Sequence, residues 1–335
     1  MKLAYFDHNI ADAILKGRAA PVQAIINKLD LVPVYSDENI KEIQNTPDRE
    51  EEFMELFSSL NAMRIFEEII DFKFTGNILV SDQNIFHRVE EIKESPTDDS
   101  SMDGLEFIRK YYGGVDNMSF QQVLTHPLIE QQRVLEGALL EREELDAATV
   151  LQIESSLAEI PNTLALLNQA AEELDQEAAG DKALVAKMED HIKQGPVQLN
   201  NIDPPDVLEK IWRLVGQYLG APERTLEQFF GIGMDMSFLN LGIRNQEFVN
   251  INSILNNLNM IGYHRDSNLD EKQRFEASWS DAEHSCYASR CHVFFCNDKR
   301  LRKKTIAALE YLKINVPIIQ VSGKNVAFHA SWMKD

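Results

Sequence analysis

With 335 residues, of which 44% are hydrophobic, the chain is long enough to bury one large core or two smaller ones. Its formal charge of −21 argues against phosphate binding over the whole surface, because neutralising phosphates requires clustered Lys and Arg. Mean hydropathy is −0.29 and no apolar run approaches the roughly 18 residues that a membrane span needs, so no membrane association is expected.

The charge is unevenly distributed along the chain. Residues 1–60 contain 6 Lys/Arg and 11 Asp/Glu, residues 271–335 contain 11 and 7, and the middle holds the remaining 16 and 36. The acidic middle is typical of soluble helix surfaces, and the alternative is a surface for a basic partner. One basic run is either a solvated helix face or a site for a phosphate backbone: Lys299, Arg300, Arg302, Lys303 and Lys304.

Three cysteines, Cys286, Cys291 and Cys296, lie within one short stretch near the carboxyl end. The odd number argues against a disulfide framework, and the spacing is not that of a zinc site. The start of the chain does not resemble a signal peptide, since a strand-like segment ending in an acid follows Met1. We therefore expect buried thiols and a cytoplasmic protein.

The amino-terminal part alternates strand-like and helix-like segments. The predicted elements are a buried strand over residues 3–6, helices over 9–16 and 22–28, a strand over 31–35, and a helix through residue 43 that begins at Ser36 or Asp37 and carries Glu42. This is the pattern of a βαβ unit, in which a right-handed crossover makes the two strands parallel neighbours. Pro33 predicts that the second strand lies at a sheet edge or that the proline occupies its start.

The middle of the chain has mostly helical periodicity. Apolar residues recur at three- and four-residue steps over 47–70, and long amphipathic helices are predicted over 120–192, 206–219 and 227–258. Residues 76–80 fit a strand or a helix, and residues 95–103 form a polar, turn-rich loop. A helical bundle or hairpin is expected in this acidic region.

The carboxyl-terminal part returns to strands. A helix carrying Asp281 and Ala288 leads into a short strand over 293–295, followed by Asp298, a helix over 301–312, and strands over 316–321 and 325–328. The simplest architecture is an α/β domain with a parallel sheet, built from residues 1–60 and 271–335. A mostly helical insertion, residues 61–270, interrupts it.

Acidic residues follow or begin several of these elements. Asp7 and Asp298 come directly after apolar strands, and Asp281 lies near the start of a helix. Each acid alone fits a helix cap or a favourable interaction with the helix dipole. Together they favour a site, because ligands of α/β sheets bind outside the carboxyl ends of the strands.

Four segments of the chain resemble the motifs of the PIN-domain nucleases. They are Phe6-Asp7-His8-Asn9, the stretch from Ser36 to Glu42, Asp281-Ala282-Glu283-His284 with Ala288, and the stretch from Phe295 to Leu301. The resemblance covers roughly the first and last 60 residues. It implies a compact PIN-like α/β fold and metal-dependent hydrolysis of phosphodiesters, usually in single-stranded or structured RNA.

The resemblance also implies roles for individual residues. Asp7, Glu42, Asp281 and Asp298 would bind Mg²⁺ or Mn²⁺, since hard cations prefer oxygen ligands. Asp7 and Asp281 would hold the first metal, and the other two acids would complete the site directly or through water. Asn9, Ser36 and Asn297 would be supporting residues, and Cys296 stands where the family commonly has Ser or Thr.

Two other functions remain open at this point. The first is a catalytically inactive PIN-like scaffold that binds RNA or protein, which the acidic middle and Cys296 favour. The second is a toxin-like or defence-associated subunit whose nuclease is gated by a partner, or by a second copy, bound through the helical insertion. The sequence does not distinguish RNA from DNA, or endonucleolytic from exonucleolytic cleavage.

Overall fold

The computed structural model describes residues 1–70, 73–94, 103–115, 117–140, 145–178, 184–186, 190, 196–218, 224–233 and 245–329. The strands in these ranges are β1 (Lys2–Phe6), β2 (Leu31–Tyr35), β3 (Met63–Ile70), β4 (Lys73–Ser81), β5 (Val293–Phe295), β6 (Ile318–Ser322) and β7 (Asn325–His329). The helices are α1 (His8–Leu15), α2 (Pro21–Leu29), α3 (Asp37–Gln44), α4 (Glu50–Ser59), α5 (Ile85–Glu94), α6 (Asp103–Tyr111), α7 (Phe120–Leu140), α8 (Ala147–Ala178), α9 (Pro196–Leu199), α10 (Val207–Val215), α11 (Leu226–Phe230), α12 (Gln246–Met260), α13 (Lys272–Ser289) and α14 (Lys299–Tyr311).

All seven of these strands lie in one sheet, in the order β4-β3-β2-β1-β5-β6-β7. β1 pairs in parallel with both β2 and β5, β3 is parallel to β2, and β6 is parallel to β5. The edge strands β4 and β7 are antiparallel to their neighbours. The predictions of an α/β fold, a mostly parallel sheet and adjacent β1 and β2 are therefore confirmed.

The strand order reverses between β1 and β5. After β1 the chain forms β2 and β3 on one side, and later it returns on the other side as β5 and β6. The connections after two neighbouring parallel strands therefore diverge at their carboxyl ends, which leaves a crevice of the kind that binds ligands in α/β proteins. Asp7 follows β1 at this point, and Cys296, Asn297 and Asp298 follow β5.

Helices cover both faces of the sheet, which explains why four consecutive residues of β1, Leu3 to Phe6, are all buried. On one face Phe6 and Phe295 belong to a core that includes Phe53 and Phe57 of α4. On the other face the ring of Tyr5 stacks on Tyr287 of α13. The sheet around Asp7 is therefore held from two sides.

The helix predicted over residues 47–70 is wrong in its second half. α4 ends at Ser59 and residues 63–70 form β3, in which Ile65 and Glu67 are buried while their immediate neighbours are not. The spacing of Met63, Phe66 and Ile70 fits a helix, but short apolar runs do not separate the two periods. Residues 76–80, whose sequence fits a strand or a helix, lie in β4.

Two further expectations change with this sheet. Two of its strands, β3 and β4, come from the segment 61–270, so the chain ends do not build it alone. β2 is also not an edge strand, and Pro33 lies within it. Proline is tolerated at this position because the pairing of β2 with β3 begins only at Val34. On the β3 side, no backbone carbonyl is therefore left without the N–H that Pro33 lacks. Residues 95–102 of the predicted loop lie outside the described ranges.

The chain divides into two compact units. The first consists of Met1–Pro96, His191–Asp266 and Glu276–Asp335, and it contains the whole sheet. The second consists of Thr97–Asp190 and Ser267–Phe275, with a small core around Phe120 of α7 and Ala171 of α8. None of the helices described in either unit is long and apolar enough to cross a membrane.

Candidate active site

Asp7 lies at the carboxyl end of the central strand. Its N–H donates to the carbonyl of Phe295 at 3.0 Å, which extends the pairing of β1 with β5 by one residue. Its carboxylate begins α1 and accepts from the backbone N–H and the Nδ2 of Asn9, each at 3.4 Å. Asp7 is only 1% exposed, and burial, reinforced by the charge of Glu42, raises its pKa.

Asp281 lies in the middle of α13 rather than near the start of a helix, because α13 already begins at Lys272. Its side chain is half-buried. Burial raises the pKa of Asp281 well above its usual value, and the negative charge of Asp7 raises it further. Asp266 adds to this repulsion, whereas Lys304 and His284 oppose it. The charge of Asp7 thus acts on an acid from the opposite end of the chain.

Glu42 is held by two histidines. Its Oε2 lies 2.9 Å from Nε2 of His284 and 3.9 Å from Nδ1 of His8. Burial disfavours the charged carboxylate, but the charge of His284 and its hydrogen bond outweigh it, so the pKa of Glu42 is lowered. The same contact overcomes the burial of the imidazole and raises the pKa of His284 to about 9, so the pair is ionic at neutral pH.

Ser36 contacts the residues behind the acids rather than the acids themselves. It begins α3 in a capping box with Asn39, whose Oδ1 accepts from the Ser36 N–H at 2.9 Å. Its hydroxyl lies 2.5 Å from the hydroxyl of Tyr5, and the Tyr5 hydroxyl lies 2.7 Å from Nδ1 of His284. Asn39 Nδ2 donates to the carbonyl of Phe6, the residue before Asp7, at 3.0 Å.

The three residues after β5 have different roles. The thiol of Cys296 donates to the carboxylate of Asp7 at 3.7 Å, and burial followed by the charges of Asp7, Asp281 and Asp298 raises its pKa well above the usual value. The thiol therefore stays protonated and can replace the expected hydroxyl only as a weak donor. Asn297 accepts from the N–H of Val321 at 2.9 Å, which ties this turn to β6.

Asp298 acts as the N-cap of α14. Its Oδ1 accepts from the N–H of Leu301 at 2.8 Å, which is one of the two roles that the sequence left open. Asp298 is half-buried, and its charge acts on Cys296. The charge of Glu42 raises the pKa of Asp7, and the charge of Asp7 raises that of Asp281, so these three acids act on one another.

The predicted basic run divides between solvent and the protein interior. Lys299 and Arg300 are exposed. Arg302 is buried and donates to the carbonyls of Cys296 and Asn297, and Lys304 is buried against Asp266. Lys303 pairs with Asp203, so the run as a whole is not available for phosphates.

Sequence reasoning misses the two residues that join the acids. The motif comparison includes His284 but gives it no role, although this residue lies three positions after Asp281 and therefore on the same face of α13. Sequence reasoning treats Tyr5 as an ordinary strand residue, although Tyr5 lies two residues before Asp7 and so faces the same side. These two spacings are the features of the sequence from which the roles of His284 and Tyr5 could have been predicted.

The donor set fits a divalent cation only in part. Among the residues that the structure describes, no three His, Cys, Asp or Glu side chains form a ready-made metal cluster. Glu42 is engaged by His284, and Asp298 caps a helix. Asp7, which is buried, and Asp281, which is half-buried, remain as oxygen ligands, and a cation would relieve the repulsion between them.

A groove of about 450 Å³ is lined by Asp298, which is the only one of the four predicted acids in its wall. Its other walls include Asn9 and Arg18 from the segment after β1, Asn297 from the turn after β5, and Ser322 at the end of β6. The Arg18 side chain is 62% exposed while it pairs with Asp12 at 3.2 Å. The groove thus places a basic side chain near Asn9, whose amide contacts Asp7.

No protein-family profile, curated protein or solved structure matches this chain. The resemblance to PIN-domain nucleases therefore depends on the four sequence motifs alone.

Proposed function

We propose that this protein is a Mg²⁺- or Mn²⁺-dependent phosphodiesterase that cuts RNA. The proposal is carried by the way the fold joins β1 to α13 where the strand order reverses: Tyr5 contacts His284 at 2.7 Å, and the charge of Asp7 raises the pKa of Asp281. Like charges held near each other away from bulk water are typical of sites that bind a cation or do chemistry.

In this proposal one divalent cation is bound by the carboxylates of Asp7 and Asp281. Mg²⁺ sites in proteins commonly use one or two carboxylates, with water and substrate phosphate completing the shell. When bound, the cation supplies Lewis-acid activation of water and stabilises charge on the phosphate. Asn9 and Cys296 orient Asp7 through their hydrogen bonds, and Asp298 contributes negative charge nearby.

The substrate would enter along the groove that begins at Asn297 and Asp298. Arg18 at the groove and the exposed Lys299 and Arg300 at the start of α14 are suited to phosphate oxygens, which strengthen binding without reading sequence. RNA as the substrate rests on the resemblance to PIN-domain nucleases. A cytoplasmic location fits the three free cysteines.

Cleavage of a 5′-labelled single-stranded RNA in the presence of Mn²⁺ tests the proposal. We expect the wild type to cut the RNA and both Asp7→Asn and Asp281→Asn to lose the activity. The matched control is Asp203→Asn, the same substitution at a side chain that is 68% exposed, and it should cut as the wild type does. Equal activity of the wild type and the two site variants on RNA would overturn the proposal.

A second candidate, a PIN-like scaffold that binds RNA without cutting it, is favoured by one observation. Glu42, an acid that the resemblance assigns to the metal, is already neutralised by His284 at 2.9 Å. A scaffold predicts RNA binding that persists in Asp7→Asn and needs no divalent metal. Filter binding in EDTA and in Mn²⁺ distinguishes the two.

A partner that gates the activity is a further proposal, carried by the second unit. Apolar side chains of α7 and α8 are exposed there, among them Val134 at 68%, Leu140 at 89% and Leu151 at 68%. Light scattering on the full chain gives its mass in solution. A dimer that becomes monomeric in Val134→Glu or Leu151→Glu would support self-association, and a monomeric wild type would remove it.

A further inference from the structure

A chain of buried hydrogen bonds runs beneath the acids and uses none of the groups proposed to touch the cation. It begins at Glu42 Oε2, passes through both ring nitrogens of His284, reaches the hydroxyl of Tyr5 and ends at the hydroxyl of Ser36. The successive distances are 2.9, 2.7 and 2.5 Å. Tyr5, Ser36 and His284 are each 0% exposed.

The chain of hydrogen bonds joins the segments that carry the acids. Tyr5 and Asp7 lie two residues apart on an extended strand, and His284 and Asp281 lie one helical turn apart on α13. Tyr5 and His284 therefore lie on the same sides of β1 and α13 as the two acids, and they contact each other. A displacement of α13 relative to β1 breaks this contact.

The far end of the chain of hydrogen bonds returns to Asp7. Ser36 and Asn39 form the capping box of α3, and Asn39 donates to the carbonyl of Phe6. Glu42 lies on the same helix, so its position depends on where α3 begins. The hydrogen bonds from Glu42 through His284, Tyr5, Ser36 and Asn39 thus form a circuit that ends at Phe6, the residue before Asp7.

Resting on the proposed function, we infer that Tyr5 and His284 are positioning residues that hold Glu42 beside the cation and fix α13 at the distance from β1 that the cation needs. Direct hydrogen-bonding partners of metal ligands orient them, and their removal typically weakens metal binding by 10- to 100-fold. Tyr5 and His284 act one step further away, through the segments that carry Asp7 and Asp281, so we expect an effect at the lower end of that range. In this arrangement Asp7 and Asp281 bind the cation directly, and Glu42 influences it by its charge without being a ligand.

The Tyr5 hydroxyl has a matched counterpart in an ordinary buried hydrogen bond. Tyr35 on the neighbouring strand β2 is also 0% exposed, and its hydroxyl donates to the carbonyl of Gln83 at 2.7 Å. That hydrogen bond does not lead to the acids. Tyr5→Phe and Tyr35→Phe therefore remove the same atom from two adjacent strands of one sheet, and only Tyr5→Phe breaks the circuit.

The test is a Mn²⁺ titration followed by electron paramagnetic resonance, with thermal unfolding of each variant in EDTA. We expect Tyr5→Phe to weaken Mn²⁺ binding ~10-fold and Tyr35→Phe to leave it within twofold of the wild type, although both lower the unfolding temperature. His284→Gln, whose amide can still donate to Glu42 but does not reach Tyr5, should lie between the wild type and Tyr5→Phe.

Failure of the metal site and failure of the positioning role give different results. A wild type that binds no Mn²⁺, or binds it as well as Asp281→Asn, overturns the metal site itself. A wild type that binds Mn²⁺ while Tyr5→Phe binds it equally well overturns the positioning role alone. If Tyr5→Phe does not fold, His284→Gln decides, and Mn²⁺ binding equal to the wild type overturns the role.

Discussion

Lys304 tests the basic run most sharply, because both sequence-based interpretations, a solvated helix face and a phosphate site, require it to be exposed, whereas the structure buries it. The residue is 1% exposed, and its Nζ donates to Oδ1 of Asn259 at 2.8 Å and to the carboxylate of Asp266. Ser278 also donates to that carboxylate, at 2.7 Å. One side chain of α14 thus ties the end of α12 to α13.

Lys304→Met removes the cation and leaves Asp266 charged in a largely buried place. Removing one partner of a buried ion pair costs about 3–5 kcal/mol, because the remaining charge is uncompensated. For a unit of this size 1 kcal/mol corresponds to about 2–4 °C, so the unfolding temperature should fall by about 6–20 °C. Urea unfolding and calorimetry measure both quantities.

The adjacent Lys303 is the matched control. Its partner Asp203 is 68% exposed, and exposed ion pairs contribute about 0–1 kcal/mol, so Lys303→Met should be nearly as stable as the wild type. In a double-mutant cycle, Asp266→Asn should recover part of the loss caused by Lys304→Met. A loss below about 1 kcal/mol for Lys304→Met, or weaker RNA binding at unchanged stability, would refute the structural role.

Three further predictions concern metal, RNA and pH. Saturation with Mn²⁺ at 100 times its Kd should stabilise the wild type by about 2.7 kcal/mol, and Asp7→Asn and Asp281→Asn should lose this gain in a thermal shift assay. Replacing Lys299 and Arg300 by Ala should weaken RNA binding and lower the slope of log K against log salt by about 0.7 for each phosphate that is no longer neutralised, whereas an unchanged slope would place the RNA elsewhere. Burial, followed by the charges of neighbouring lysines, lowers the pKa of His264 from 6.5 to about 4. Below about pH 6.5 the unfolded chain binds a proton at His264 that the folded chain does not bind. The free energy of unfolding should therefore be unaffected by His264 above about pH 6.5 and should decrease as the pH falls towards 4, by at most about 3 kcal/mol. His264→Asn, which tolerates the positive φ of 46° at this position, should flatten the stability profile over that window, and an unchanged profile would contradict the assignment.

The parts of the fold that could be predicted have strong local signals. β1 and β2 are short apolar runs separated by two helices, and Ser36 followed by Asn39 begins α3 with its own capping bonds. β3 could not be predicted because Met63, Phe66 and Ile70 recur with a spacing that suits a helix. Only the pairing of β3 with β2 and β4 selects the strand.

The site shows the same limit at the level of side chains. Motif order placed Asp7 and Asp281 together, because a strand end and a helix carry them to one edge of the sheet. It could not show that His284 neutralises Glu42, since the two residues meet only through α3 and α13. It also could not show which residues of the basic run are exposed and which are buried, because the loop that carries Asp266 covers one face of α14.

If the two ends of the chain form one metal site, Asp7 and Asp281 should bind a single cation together. Anomalous scattering from a crystal grown or soaked in Mn²⁺ locates that cation. We predict one anomalous peak between the two carboxylates, with Glu42 still bound to His284. A peak elsewhere, or none at a Mn²⁺ concentration that supports RNA cleavage, would show that these two acids do not form a shared metal site.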